Sequence, residues 1–381
     1  MLGHLAIGTW SGGRFMSFGE PIDDERFEAL VRPGGPIRSV LTADAYGAGA
    51  ADSLLGRALE GVPRGGYALA GAVGHDFYEG GREGAKGYPR FTDPRLRAPD
   101  GYAGYLRMAV ERSLERCGVD SFDLLLLHNP DRRGFESEAV WEALRELRDQ
   151  GLTRMLGVAP GPANGFTLDL IGCFERYGEL IDWAMLILNP FEPWPGELAL
   201  GAAARHHVKV ITRVVDYGGL FHDDVLPGHA FPPGDHRRFR PEGWVEAGRE
   251  KLERLRPIAE RHGLTPLGLA CAWNLTHEAV ECVAPTLIQE PGPDAKPIER
   301  KRAELAAVPA GPLLSAEEVD AIRAIGDNRG SMLLKGATPD HEGHELPDRW
   351  AIDGELAAVA GRWAIDPQRD LRKAAPALDA R

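Results

Sequence analysis

The stretch Leu41-Thr-Ala-Asp44-Ala-Tyr46-Gly47-Ala-Gly-Ala-Ala51 decides how the rest of the chain is read. It closes an apolar run over 37–41 and leads into the helical pattern Asp52-Ser-Leu-Leu-Gly-Arg-Ala-Leu59. That is a strand, a glycine-containing turn and a helix, with Tyr46 carried on the turn. Outward from it, further short apolar runs cover 5–8, 67–73, 124–128, 155–158, 183–188, 208–214 and 282–284. Each is bounded by Gly, Pro or polar residues, as strands buried on both faces are. Helical patterns lie between them at 23–31, 51–59, 102–117, 137–149, 168–177 and 198–206, with Asp23 or Asp24 and Ser137 as caps for theirs. This strict βα alternation favours an α/β fold closed as a (β/α)8 TIM barrel over an open doubly wound sheet. No GxGxxG follows the first strand, which lowers the dinucleotide-sheet reading further.

A chain of 381 residues with 43% apolar side chains supports a sizeable core. The expected division is a barrel over 1–329 and a C-terminal extension over 330–381, whose short helical pattern at 353–363 packs on the barrel. A formal charge of −13 speaks against nucleic acid as a partner, because phosphate binding needs clustered Lys and Arg. No apolar run approaches the roughly 18 residues of a membrane helix, and no leader pattern opens the chain, so the expected compartment is the cytoplasm. Cys117, Cys173, Cys271 and Cys282 form no CxxC pair and read as buried thiols.

Two segments break the alternation. Residues 75–101 and 217–243 are rich in Gly, Pro and charge, and both leave the ends of strands, where barrel enzymes build their sites. They read as lids. His75-Asp76 and His222-Asp223-Asp224 also follow strand ends, but neither shows HxxxH spacing, so no metal site is expected.

Several motifs occur in an order that resembles the aldo-keto reductases. They are Thr42-Ala-Asp-Ala-Tyr-Gly47, Leu54-Leu-Gly-Arg-Ala-Leu59 and Asp123-Leu-Leu-Leu-Leu-His128-Asn-Pro-Asp131. Next come Gln150-Gly-Leu152 with Leu156-Gly-Val158, then Ala259-Glu-Arg-His-Gly-Leu-Thr-Pro266 leading to Ala270-Cys-Ala-Trp-Asn-Leu275. The resemblance spans about residues 5–290 and implies a barrel that reduces a carbonyl with NAD or NADP as cofactor. It implies Tyr46 as proton donor and His128 as the residue orienting the carbonyl.

The resemblance also exposes departures. The family's aspartate and lysine, which lower the tyrosine pKa, fall on Leu41 and Ala72. Without a neighbouring cation Tyr46 should keep a pKa near ~10. The family's nicotinamide contacts fall on Ala159-Pro160, Met185 and Arg213. Arg213, Lys296, Arg300, Lys301 and Arg302 are the remaining candidates to hold a nucleotide. Asp44, His75, Arg213 and Asp216 are candidates to line the pocket for a small-molecule substrate. Carbonyl reduction is therefore the leading reading. A lyase, isomerase or epimerase using Tyr46 and His128 as acid and base is the second, and a non-catalytic ligand-binding barrel the third.

Overall fold

The computed structural model describes residues 1–83, 87–161, 166–240, 242–311, 313–328 and 352–371. The strands are β1 (Ala6–Gly8), β2 (Ser39–Leu41), β3 (Ala68–Val73), β4 (Phe122–His128), β5 (Thr153–Ala159), β6 (Trp183–Ile187), β7 (Lys209–Arg213) and β8 (Val280–Ala284). The helices of the first half are α1 (Asp24–Val31), α2 (Ala50–Leu59), α3 (Tyr102–Cys117), α4 (Arg132–Glu136), α5 (Glu138–Asp149) and α6 (Phe166–Tyr177). Those of the second half are α7 (Glu197–Arg205), α8 (Trp244–Arg261), α9 (Pro266–Asn274), α10 (Ile298–Ala306) and α11 (Ala316–Gly326). Two more, α12 (Gly354–Arg362) and α13 (Pro367–Asp370), follow near the C-terminus.

All eight strands pair in parallel in chain order, and a parallel bridge between Leu5 and Val283 joins the last to the first. The expected (β/α)8 TIM barrel is the observed fold, with each strand within two or three residues of its expected bounds. The pleat divides the strand residues into two sets. Ala6, Leu41, Ala70, Ala72, Leu124, Leu126, Trp183, Met185, Ile211, Cys282 and Ala284 form a buried cluster inside the barrel. Their neighbours Ile7, Val40, Leu69, Val73, Leu125, Leu127, Leu186, Val210 and Val283 join the larger core under the helices. Burial on both faces is why the strands read as continuous apolar runs.

The Asp23 side chain accepts from the Arg26 amide and starts α1 as expected. Ser137 stands at the start of α5, but its side chain makes no capping bond. Its carbonyl accepts from the Val140 and Trp141 amides instead. Residues 330–351 and 372–381 of the expected extension lie outside the described residues. Helix α12 packs on α6, burying Leu356, Val359 and Ala360, while Arg362 and Trp363 both reach Glu175.

The turn after β2 is held by a buried polar chain. Thr9 Oγ1 donates to Thr42 Oγ1 (3.1 Å), Thr42 Oγ1 to Asp52 Oδ1 (2.7 Å), and Ser113 Oγ to Asp52 Oδ2 (2.7 Å). One line thus ties the exit of β1 to β2, α2 and α3. Removing a single member leaves a buried acceptor without its donor. Thr42→Val should therefore lower unfolding free energy by about 1–3 kcal/mol in urea denaturation. An unchanged midpoint would show the chain to be dispensable.

Candidate active site

Because the strands are parallel, their C-terminal ends open on one side, and three of them deliver polar side chains there. The loop after β2 stays paired with β3, since the Thr42 amide donates to the Ala70 carbonyl and the Asp44 amide to the Ala72 carbonyl. A tight turn then starts at Tyr46, followed by Gly47 at φ 59, where an added Cβ would lie 2.7 Å from the Phe15 ring. His128 ends β4 and Arg213 ends β7. Gly74 lets the exit of β3 pass against His128, because a Cβ there would lie 2.2 Å from the His128 carbonyl oxygen.

The Tyr46 and His128 rings meet edge to face with centroids 5.7 Å apart. His75 packs on the other side of His128 at 5.1 Å. His75 Nε2 lies 3.1 Å from Asn129 Nδ2, so it accepts there and Nδ1 donates to the Tyr88 carbonyl at 2.9 Å. His128 is buried, and its Nδ1 has no partner among the described residues. Arg213 donates through Nη2 to the Pro160 carbonyl at 2.8 Å, while its Nε is unpartnered among the described residues. Beside it, Pro160, Phe166, Thr167, Ile187 and Gly196 line a cleft at the ends of β5 to β7.

Burial sets the protonation states. Tyr46 is pushed above the usual phenol value by burial, although the Arg213 cation pulls the other way. The expected ordinary value of Tyr46 gives way to a raised one, because desolvation outweighs a cation supplied from β7. Burial, then His75, Arg213 and Arg90, hold His128 well below the usual imidazole value. His75 is pushed down to about 3 by burial and by Arg90. All three rings are therefore neutral near pH 7.

The structure does not bring every candidate to this cluster. Asp216 is buried, and its oxygens accept from the Gly219 and Thr286 amides at 2.8 and 2.7 Å, so it staples the loops after β7 and β8. Asp44 is buried with neither oxygen partnered among the described residues. Burial and Asp52 raise it well above the carboxylate range, with Arg116 opposing. The basic residues near α10 have partners within the chain. Lys296 pairs with Glu304 at 2.9 Å, and Arg302 donates to the carbonyls of Leu30 and Arg32. Lys301, a candidate to hold a nucleotide, is buried against Asp224 and the Ile288 carbonyl. Arg300 is the exposed one, 3.5 Å from Glu304.

Arg90 and Asn129 were not singled out from the sequence. Arg90 lies in the irregular 75–101 segment and donates to the Asn129 carbonyl at 2.5 Å, a contact no periodicity announces. Asn129 follows a strand-end histidine directly, and that adjacency was the available signal.

Both long loops are fastened. The first pairs with the strand ends through Phe91 to Gly74 and Thr92 to Asp131. In the second, buried Arg237 joins Asp235 to Glu290, and Asp235 accepts from the Gly19 amide. Such anchors suit fixed walls of the mouth better than loose lids.

A family model described as the aldo/keto reductase family matches residues 4–326, and the chain belongs to that family. It is similar to 6-dehydroglucose reductase of Agrobacterium fabrum, 24% identical over 294 residues, covering 73% of this chain and 82% of that protein. It is 27% identical over 172 residues to D-threo-aldose 1-dehydrogenase of a Pseudomonas species, covering 41% of this chain and 52% of that one. Among solved structures, the glycerol dehydrogenase of Gluconobacter oxydans superposes with a TM-score of 0.64 at 23% identity, covering 85% of this chain and 91% of that one. An aldo/keto reductase of Klebsiella pneumoniae, solved with NADP and acetate, gives 0.59 at 20% identity, covering 87% and 95%. These structural likenesses show the fold.

The neutral imidazoles are directly observable. Histidine side-chain NMR of the whole protein should show His75 and His128 without a titration step between pH 5 and 8. A midpoint near 6.5 for His128 would show that its surroundings are wetter than this packing.

Proposed function

We propose that this chain acts on the carbonyl group of a small polar compound, an aldehyde, ketone or sugar, and that reduction is the reaction. The observation that carries the reading is the meeting of two neutral rings, Tyr46 and His128, at the mouth of an aldo/keto reductase barrel. The names of the relatives, a dehydroglucose reductase and an aldose dehydrogenase, support sugars as the compound class.

Tyr46 keeps its proton at neutral pH and, being partly exposed, can present its hydroxyl to a carbonyl oxygen as the general acid. Neutral His128 can hydrogen-bond the same oxygen without bringing a second charge. Arg213 adds a positive field where negative charge grows on that oxygen. The aspartate and lysine of the family have no counterparts at Leu41 and Ala72, which are both in the interior cluster that Tyr46 packs against. Replacing both members of a buried pair avoids stranding one charge, which costs about 3–5 kcal/mol. The cation acting on Tyr46 is then Arg213, from the end of β7.

A bound NADH or NADPH would supply the hydride, and its fit to this chain is divided. At the reacting end, the cleft beside Pro160 and Thr167 is open to a polar ring. At the phosphate end, Lys296, Lys301 and Arg302 are committed within the chain, and the Gly219 and Thr286 amides are taken by Asp216. That second observation favours an alternative, a lyase, isomerase or epimerase in which Tyr46 and His128 move protons on a carbonyl compound without hydride.

One pair of measurements separates the two. If reduction is the reaction, NADPH or NADH fluorescence changes on titration with the protein. Tyr46→Phe then lowers turnover of a sugar aldehyde by roughly 10²–10⁴ while nucleotide binding stays within a few-fold. Absent nucleotide binding, together with deuterium uptake at the carbon next to the carbonyl in D2O, would transfer the assignment to the proton-transfer enzyme.

A further inference from the structure

The charges that act on the three rings of the mouth share one sign. Arg213 acts on Tyr46, Arg213 and Arg90 act on His128, and Arg90 acts on His75. Of the two acids that the sequence offered, Asp216 is held between two loop amides, and Asp44 is buried without a partner among the described residues and is raised well above the carboxylate range. A chain of net charge −13 thus places the Arg213 cation at this mouth, and a positive field concentrates anions.

Arg213 is also held in place by its backbone. Val214, the next residue, takes φ 57, and its carbonyl accepts from Asn189 Nδ2 at 2.9 Å. A β-branched residue in the left-handed region persists only where its surroundings over-determine it. On the side chain, Nη2 is fixed on the Pro160 carbonyl and Nε is left without an acceptor among the described residues. The guanidinium is therefore oriented, desolvated and short of acceptors. A carboxylate supplies them in the fork geometry that arginine matches.

We propose that Arg213 binds the carboxylate of an acidic carbonyl substrate, a sugar acid or an oxo acid, whose carbonyl faces Tyr46 and His128. The assignment rests on the carbonyl reading above and adds the charge of the substrate to it.

The test measures binding without nucleotide, by calorimetry or ligand-observed NMR on the full chain. Two matched pairs are used, glyoxylate with glycolaldehyde and D-glucuronate with D-glucose, and D-glucose 6-phosphate is a third arm. The acid of at least one pair should bind on the order of tenfold more tightly than its neutral partner, with the preference shrinking as salt rises. Arg213→Gln should remove the preference, and Arg213→Lys should keep part of it, with thermal melts confirming that both variants fold. Equal binding within both pairs, or no binding by any member, overturns the proposal, as does a preference that survives Arg213→Gln. Tighter binding of the sugar phosphate than of either acid overturns the carboxylate assignment in favour of phosphate. If nucleotide binding is seen while the acids show no preference, reduction stands and the acidic substrate falls.

Discussion

Burial of every strand on both faces is the constraint from which the rest of the molecule follows. A closed parallel barrel gives its interior no access to water, so alternate residues of each strand must be apolar inward as well as outward. Polar chemistry is then confined to strand exits, where the pleat ends and the backbone turns. Tyr46, His128 and Arg213 occupy such exits, and the positive φ of Asn129 and Val214 places a sharp turn directly after two of them. The site is thus a consequence of where the barrel stops. No separate structure carries it.

The loops are governed by the same economy of charge. Arg237 is buried yet contacts two carboxylates, Asp235 and Glu290, and its guanidinium lies 4.4 Å from the centre of the Phe231 ring. One cation against two anions leaves the remaining acceptors to backbone and neighbours, and the Gly19 amide and His229 Nε2 meet them. Exits of β1, β7 and β8 are fastened together in this way. Breaking one member would leave a buried charge exposed to the interior alone, so the network behaves as a unit. A segment that composition marked as an irregular insert is in fact pinned at its centre.

What the sequence disclosed and what it hid divide along a physical line. Periodicity and turn residues announced all eight strands, because two-sided burial writes itself into continuous runs such as 124–128. The same runs place Tyr46 and His128 at strand exits, while their roles come only from the family resemblance. Partnering across the fold left no such mark. Lys301 looks like one of a solvated basic run, yet it is buried on Asp224, 77 positions earlier in the chain. Asp216 reads as a residue lining the pocket, but its two oxygens are taken by amides, one of them beyond β8. Ser137 stands where a cap belongs and caps with its carbonyl alone. Local pattern predicts position, and only the folded chain assigns partners.

The electrostatics of the mouth then follow from one exchange between two walls. Leu41 and Ala72 make the floor beneath Tyr46 apolar, and Arg213 brings a cation from the end of β7, three strands away around the barrel. A lysine compensated by an aspartate adds little net charge to a cavity, whereas a lone arginine adds a full one. Burial raises Tyr46 despite that arginine, so the phenol remains a proton donor and is a poor base. His128 and His75 are kept neutral by the same burial and the same cations, and neither can cancel the charge by losing a proton it does not carry. Neither imidazole supplies a counter-charge to Arg213.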